Sequence, residues 1–226
     1  MDKPKQNIVF QNSKVEGIQL GDGNSMHNNF GVSKPEKGQE EFSKDLLYVC
    51  TELQSKILSI VRGEDHYNAW VTTMLECKGY NIADQTRDGL SGSDNPKQPG
   101  ELDLKYRSHD NTAVSVLEAF LLGDSFDKQN ITKHILKIFK YDLNGLKVNY
   151  VLVYYEGKDF LNDWKRYQEH LKNIDYGSFK INSISPQEEN NTNYAEIKNC
   201  SIQLIREDSE IEIRHLFIKL EKFKQV

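Results

Sequence analysis

Residues 113–122, Ala-Val-Ser-Val-Leu-Glu-Ala-Phe-Leu-Leu, constrain this chain more than any other stretch. The run is too continuously apolar and β-branched for a strand with one face in water, and it reads as a central, buried strand. Yet an acid, Glu118, stands in its middle. A buried carboxylate left alone costs several kcal/mol unless it is paired, protonated or bound to a cation. Any fold that buries this strand must therefore supply a partner for Glu118.

The sequence just upstream suggests one. A Gly/Ser/Pro-rich loop over residues 89–100 leads into Glu101-Leu102-Asp103-Leu104-Lys105-Tyr106, and a polar turn at residues 108–111 follows. Loop, short alternating run, turn and β-branched run together form a hairpin signature. Leu102 and Leu104 share one strand face, so Glu101, Asp103 and Lys105 share the other. Two carboxylates on neighbouring strands, Asp103 and Glu118, suggest a divalent-metal site. Hard oxygen ligands with open positions for water and phosphate suit Mg²⁺ or Mn²⁺. The plainer alternative is that Glu118 caps a surface strand or pairs with a nearby lysine.

The order Gly100-Glu101-x-Asp103, a turn, then an apolar strand carrying Glu118 resembles the PD-(D/E)xK nucleases. The resemblance covers about residues 64–169. It implies an α/β restriction-endonuclease-like fold, a mixed central sheet flanked by helices, in which Asp103 and Glu118 hold Mg²⁺ for phosphodiester hydrolysis. A helix preceding the hairpin often lends a further acid in such folds, which makes Glu64 a third metal candidate; as a first-turn acid it also suits the helix dipole. One departure matters. The family's lysine stands two residues after the glutamate, and here that place holds Phe120. Either the cation has moved elsewhere in the chain, or the chemistry is lost and the domain serves as an adaptor.

Two lysines are candidates for a displaced cation. In residues 128–140, Ile131, Ile135 and Ile138 mark the apolar face of a helix, while His134, Lys137 and Tyr141 recur at i, i+3 and i+7 on another. Lys137 is the first candidate and Lys105, two residues from Asp103, the second. His134 is a weaker candidate for a base or phosphate contact, and a solvated basic face is the plainer reading of either lysine.

Elsewhere, residues 36–62 carry Phe42, Leu46, Val49, Leu53, Ile57 and Ile60 at helical spacing, an amphipathic helix expected to connect a tail (residues 1–35) to the main domain (residues 64–226). Helices are expected over residues 65–78 and 160–172, an edge-like strand over 80–85, and a buried strand over 148–155. Residues 175–193 read as irregular, and residues 201–206 and 210–220 as a terminal hairpin.

The tail is rich in Asn, Gly, Ser and Gln and too poor in apolar residues to build a core. Within it, Ile18-Gln19-Leu20-Gly21 followed by Asn24 and Met26 resembles the RHIM amyloid-signalling motif at every core position. That resemblance implies a disordered tail able to form cross-β ladders, by self-assembly or with a RHIM-bearing partner protein, as in immune and antiphage signalling. With the nuclease pattern it implies a defence effector acting on nucleic acid, DNA in preference to RNA.

A net charge of -5 gives no global basic field, which argues against a non-specific nucleic-acid coat more than against a nuclease with local cations. No apolar run approaches membrane-span length, and the start lacks a signal-peptide core, so a cytoplasmic, membrane-free protein is expected. Cys50, Cys77 and Cys200 have no metal or disulfide spacing and are expected as reduced core residues.

Overall fold

The structure is a computed structural model that describes residues 38–84, 103–142, 145–186, 196–207 and 209–220. All belong to one compact unit, Lys37–Val226. The assembly-motif residues Ile18, Gln19, Leu20, Gly21, Asn24 and Met26, the loop at 89–100, and Glu101 and Leu102 lie outside the described residues.

The fold is mixed α/β: a seven-stranded mixed sheet with helices on both faces. The two expected apolar runs form β3 (Ala113–Leu122) and β4 (Val148–Tyr155), adjacent and parallel in the sheet. Helix α3 (Lys128–Tyr141) separates them in sequence, as a parallel pair requires. On the outer side of β3 lies β2 (Leu104–Arg107), antiparallel, and then β1 (Asn81–Asp84) at the sheet edge. On the other side of β4 comes β7 (Ser209–Lys219), parallel to it, then β6 (Ile197–Arg206) and β5 (Lys180–Pro186), both antiparallel to their neighbours. The order is β1-β2-β3-β4-β7-β6-β5.

One face is covered by α1 (Gln39–Lys56) and α2 (Glu64–Cys77). The helix read as a connector buries Phe42, Leu46, Val49 and Leu53 completely, in one core with Leu75, Leu104, Leu117 and Leu152. The other face is covered by α3 and α4 (Phe160–Lys172), whose Ile135, Ile138, Trp164 and Tyr167 pack on Phe120, Val153 and Phe217. β3 alternates accordingly: Leu117 and Ala119 face α1 and α2, while Val116, Phe120 and Leu122 face α3 and α4.

Three sequence expectations need correction. Residues 180–186 are not irregular but form the edge strand β5, paired to β6 from Lys180↔Ile205 to Pro186↔Cys200. The alternation there is polar and most of its side chains are exposed, so pairing rests on backbone bonds that side-chain pattern does not announce. Strand β2 begins at Leu104, so Asp103 precedes the strand instead of lying inside it. Cys50 and Cys200 are buried, with burial pushing both thiols up to about 12, but Cys77 is exposed on the last turn of α2 and is no core residue.

Candidate functional site

The site forms where β2 stops and β3 continues. Their ladder begins at Leu104↔Leu117, while β3 runs on to Leu122. Beyond Leu117 the outward N–H groups of β3 meet no strand among the described residues, and buried backbone donors require acceptors. Two carboxylates supply them. Asp103 Oδ2 accepts from the Ala119 N–H at 2.8 Å, and Glu64 Oε2 accepts from the Leu121 N–H at 3.0 Å. Glu64 reaches this edge because it is the first residue of α2, launched by Gly63 at φ 130°, a backbone region that favours glycine.

Register sets the third acid. Since Leu104 lies opposite Leu117, Asp103 stands beside Glu118, and opposed residues of an antiparallel pair direct their side chains to the same face. Glu118 is completely buried on the α3 side of the sheet. Its Oε1 accepts from Lys137 Nζ at 2.6 Å and meets His134 Nδ1 at 2.7 Å. Its Oε2 is equally buried and, among the described residues, has no hydrogen-bond partner.

Three carboxylates against one ammonium make the site electrostatically frustrated. Burial, then the neighbouring Glu118 charge, raise the Asp103 pKa; burial, and Glu64 with it, raise that of Glu118, which Lys137 holds down. Lys137 is raised: burial opposes its charge, but the bond to Glu118 and the fields of Glu118, Asp103 and Glu64 outweigh it. The raised lysine demands an ionised partner while the raised glutamate leans toward neutrality. Two donors already converge on Glu118, against one backbone N–H on Asp103, so Glu118 is the ionised member and Asp103 the acid that carries the shared proton. Burial and the Lys137 charge lower His134, which keeps the imidazole neutral.

Of the expected site residues, Glu64, Asp103, Glu118 and Lys137 thus converge on one sheet edge, with His134 beside them. Lys105 does not join them; among the described residues it makes no hydrogen bond or ion pair with the acids. Phe120 is completely buried and stacks on His134, with ring centroids 4.9 Å apart. A lysine at that position would be driven into the α3/α4 core.

The oxygens are not arranged as a finished cage. Among the described residues no group of three or more His, Cys, Asp or Glu is poised to hold a metal as it stands. One oxygen each of Asp103 and Glu64 is tied to a backbone amide, and one of Glu118 to Lys137. The chemistry nevertheless suits a hard divalent cation, because the orphaned, buried Glu118 Oε2 lies against Asp103 in a site with excess negative charge.

Sequence reasoning missed what lies beneath Glu64. One helical turn on, Asn68 is buried and accepts from the Tyr154 hydroxyl at 2.9 Å, and Tyr67 donates to Glu156 at 2.6 Å. These contacts clamp the first two turns of α2 to β4 and to Glu156, which follows it. The only signal was the position of Tyr67 and Asn68 on the inward face of the helix. No family model, curated protein or solved structure matches this chain. No helix among the described residues is long and apolar enough to cross a membrane.

Proposed function

We propose that this chain is a metal-dependent nuclease of the PD-(D/E)xK type, with a restriction-endonuclease-like arrangement of α2, β1, β2, β3, α3 and β4, that assembles through its N-terminal RHIM-like motif in a defence role. The observation that carries the reading is the convergence of Glu64, Asp103 and Glu118, from three separate parts of the chain, on one strand edge with Lys137 Nζ 2.6 Å from Glu118. In this reading the absent lysine of strand β3 is replaced by Lys137 of α3.

Asp103 and Glu118, with Glu64 assisting, would hold Mg²⁺ or Mn²⁺. Bound there, the ion supplies Lewis acidity toward a phosphoryl oxygen and lowers the pKa of water. Lys137 has two tasks: it keeps Glu118 ionised, and it presents an ammonium that orients the attacking water or stabilises charge on the phosphate. His134, held neutral and stacked on Phe120, fixes the rotamer of Glu118 from the side opposite the sheet. One such site cuts one strand, so assembly through residues 17–30 would bring two domains together or raise their local concentration.

Phe120 favours a second reading, in which the fold survives as an inactive signalling adaptor. Cleavage of plasmid DNA and of RNA with Mg²⁺ or Mn²⁺ separates the two, comparing wild type with Asp103→Ala and Glu118→Ala, each with and without residues 1–34. Metal-dependent cutting lost in both variants supports the nuclease. No cutting by assembled protein sinks it and leaves fibre formation as the activity.

A further inference from the structure

The sheet is not covered evenly. On the α3/α4 side every strand from β3 to β6 contributes to a buried apolar core, but no residue of β1 or β2 does. The buried residues of those two strands, Ile82, Leu104 and Tyr106, all face the other way, toward α1 and α2. The opposite face of the β1-β2 pair bears Asn81 and Ala83 beside Arg107 and Lys105, and among the described residues no helix lies on it. It forms a shelf, with α3 as a wall along one side and Asp103 at its inner end.

The shelf is basic. The Lys105 side chain makes no hydrogen bond or ion pair among the described residues, and Arg107 spends one guanidinium nitrogen on the Asn111 carbonyl at 3.1 Å. On α3, Lys133 and Lys140, both exposed, stand four residues before and three after Lys137, toward its solvent side. Lys105 and Arg107 are alternate residues of β2 on one face, so they succeed one another at roughly 7 Å, twice the rise per strand residue, with Asp103 just before the strand. That step is comparable to the separation of successive phosphates along an extended nucleic-acid strand. A protein of net charge -5 thus concentrates unpaired cations next to its most acidic buried site.

We propose that this shelf is the binding track for the substrate strand: Lys105 and Arg107 each take one phosphate on one side of the scissile position, and the Lys133/Lys140 edge of α3 steers the strand in. The proposal rests on the reading of the acidic site as a nuclease centre and adds where, and through which phosphates, the strand is held.

Binding without metal tests it apart from cleavage. Anisotropy of labelled DNA, single-stranded and duplex, is followed over a range of KCl concentrations in EDTA for the full chain. Wild type is compared with Lys105→Gln/Arg107→Gln, in which glutamine keeps most of each stem packed, and with Lys165→Gln/Lys172→Gln on α4, which loses the same charge. Removal of two phosphate contacts lowers the salt slope by about 1.4 on a single strand or about 1.8 on a duplex, so affinity at about 0.1 M salt falls roughly 25-fold or 60-fold if the curves meet near 1 M. The α4 pair keeps the wild-type slope, and circular dichroism shows both variants folded. An unchanged slope in the shelf variant, an equal drop in the α4 variant, or no binding by wild type overturns the track. Shelf-dependent binding without cutting in Mg²⁺ or Mn²⁺ supports the track and refutes the nuclease reading alone.

Discussion

Asp103→Asn is expected to make the metal-free protein more stable while abolishing the metal response proposed for the site. The asparagine carbonyl can still accept from the Ala119 N–H, so the one favourable contact of Asp103 survives. What disappears, at pH values above about 7, is a buried negative charge beside Glu118 and Glu64. A rise in pKa from 3.8 to about 7 corresponds to roughly 4 kcal/mol at 1.36 kcal/mol per unit. Asp103 and Glu118 share one proton, so neutralising one member recovers closer to half, about 2 kcal/mol, or a Tm gain of roughly 4–8 °C for a domain of this size. The pH dependence has a definite sign. An acid whose pKa is raised on folding binds its proton more tightly in the native state. Its contribution to stability is complete below the unfolded pKa and fades as pH rises through the folded value, here between about 4 and 7. The variant should therefore gain at pH 8 and little at pH 5. Thermal unfolding followed by circular dichroism in EDTA at the two pH values measures this. Mg²⁺ or Mn²⁺ should then raise the Tm of wild type and leave the variant unmoved. A variant less stable than wild type at pH 8, or one whose gain is the same at both pH values, would refute the frustrated-acid account of the site.

Two further outcomes follow from neighbouring contacts. Lys137→Met leaves the buried Glu118 without its cation and should cost about 3–5 kcal/mol in urea unfolding at neutral pH. The loss should shrink toward pH 5 as Glu118 takes up a proton, and Lys137→Arg should retain most of the stability. Tyr154→Phe leaves the buried Asn68 carbonyl without a donor and should cost about 1–3 kcal/mol, with faster hydrogen exchange in the first turns of α2, where Glu64 is held.

Much of the fold was legible because its central elements have simple side-chain periods. The apolar runs of β3 and β4 and the helices α3 and α4 fall within a residue of the expected bounds, since burial on both faces leaves strands with no polar alternation, and burial on one face gives helices a stripe. Strand β5 was not legible, because it sits at an edge and its pairing uses backbone atoms common to every residue. Glu118 announced itself as an acid in an apolar run. The positions of Lys137 and His134 on one helical face were readable too, but that this face meets Glu118 depends on the crossing of α3 over β3, which no local pattern encodes. The bonds from Ala119 and Leu121 to Asp103 and Glu64 were hidden for a different reason. They exist because β2 is six residues shorter than β3, and strand length is decided by pairing.

The place of β7 has a consequence for biosynthesis. It is the last described strand in the chain, yet it sits inside the sheet, parallel to β4 over eight residue pairs and antiparallel to β6 over ten. Chains are made from the N-terminus, so Glu64, Asp103, Glu118 and Lys137 all leave the ribosome before the strand that closes the sheet. Until residues 209–219 arrive, β4 presents a long, apolar, unpaired edge, and the β5-β6 hairpin has no sheet to join. A product truncated before β7 would carry every residue of the site without the platform that holds them together, and would aggregate instead of acting. Arrival of residues 209–219 thus becomes the step that completes the platform beneath the acids.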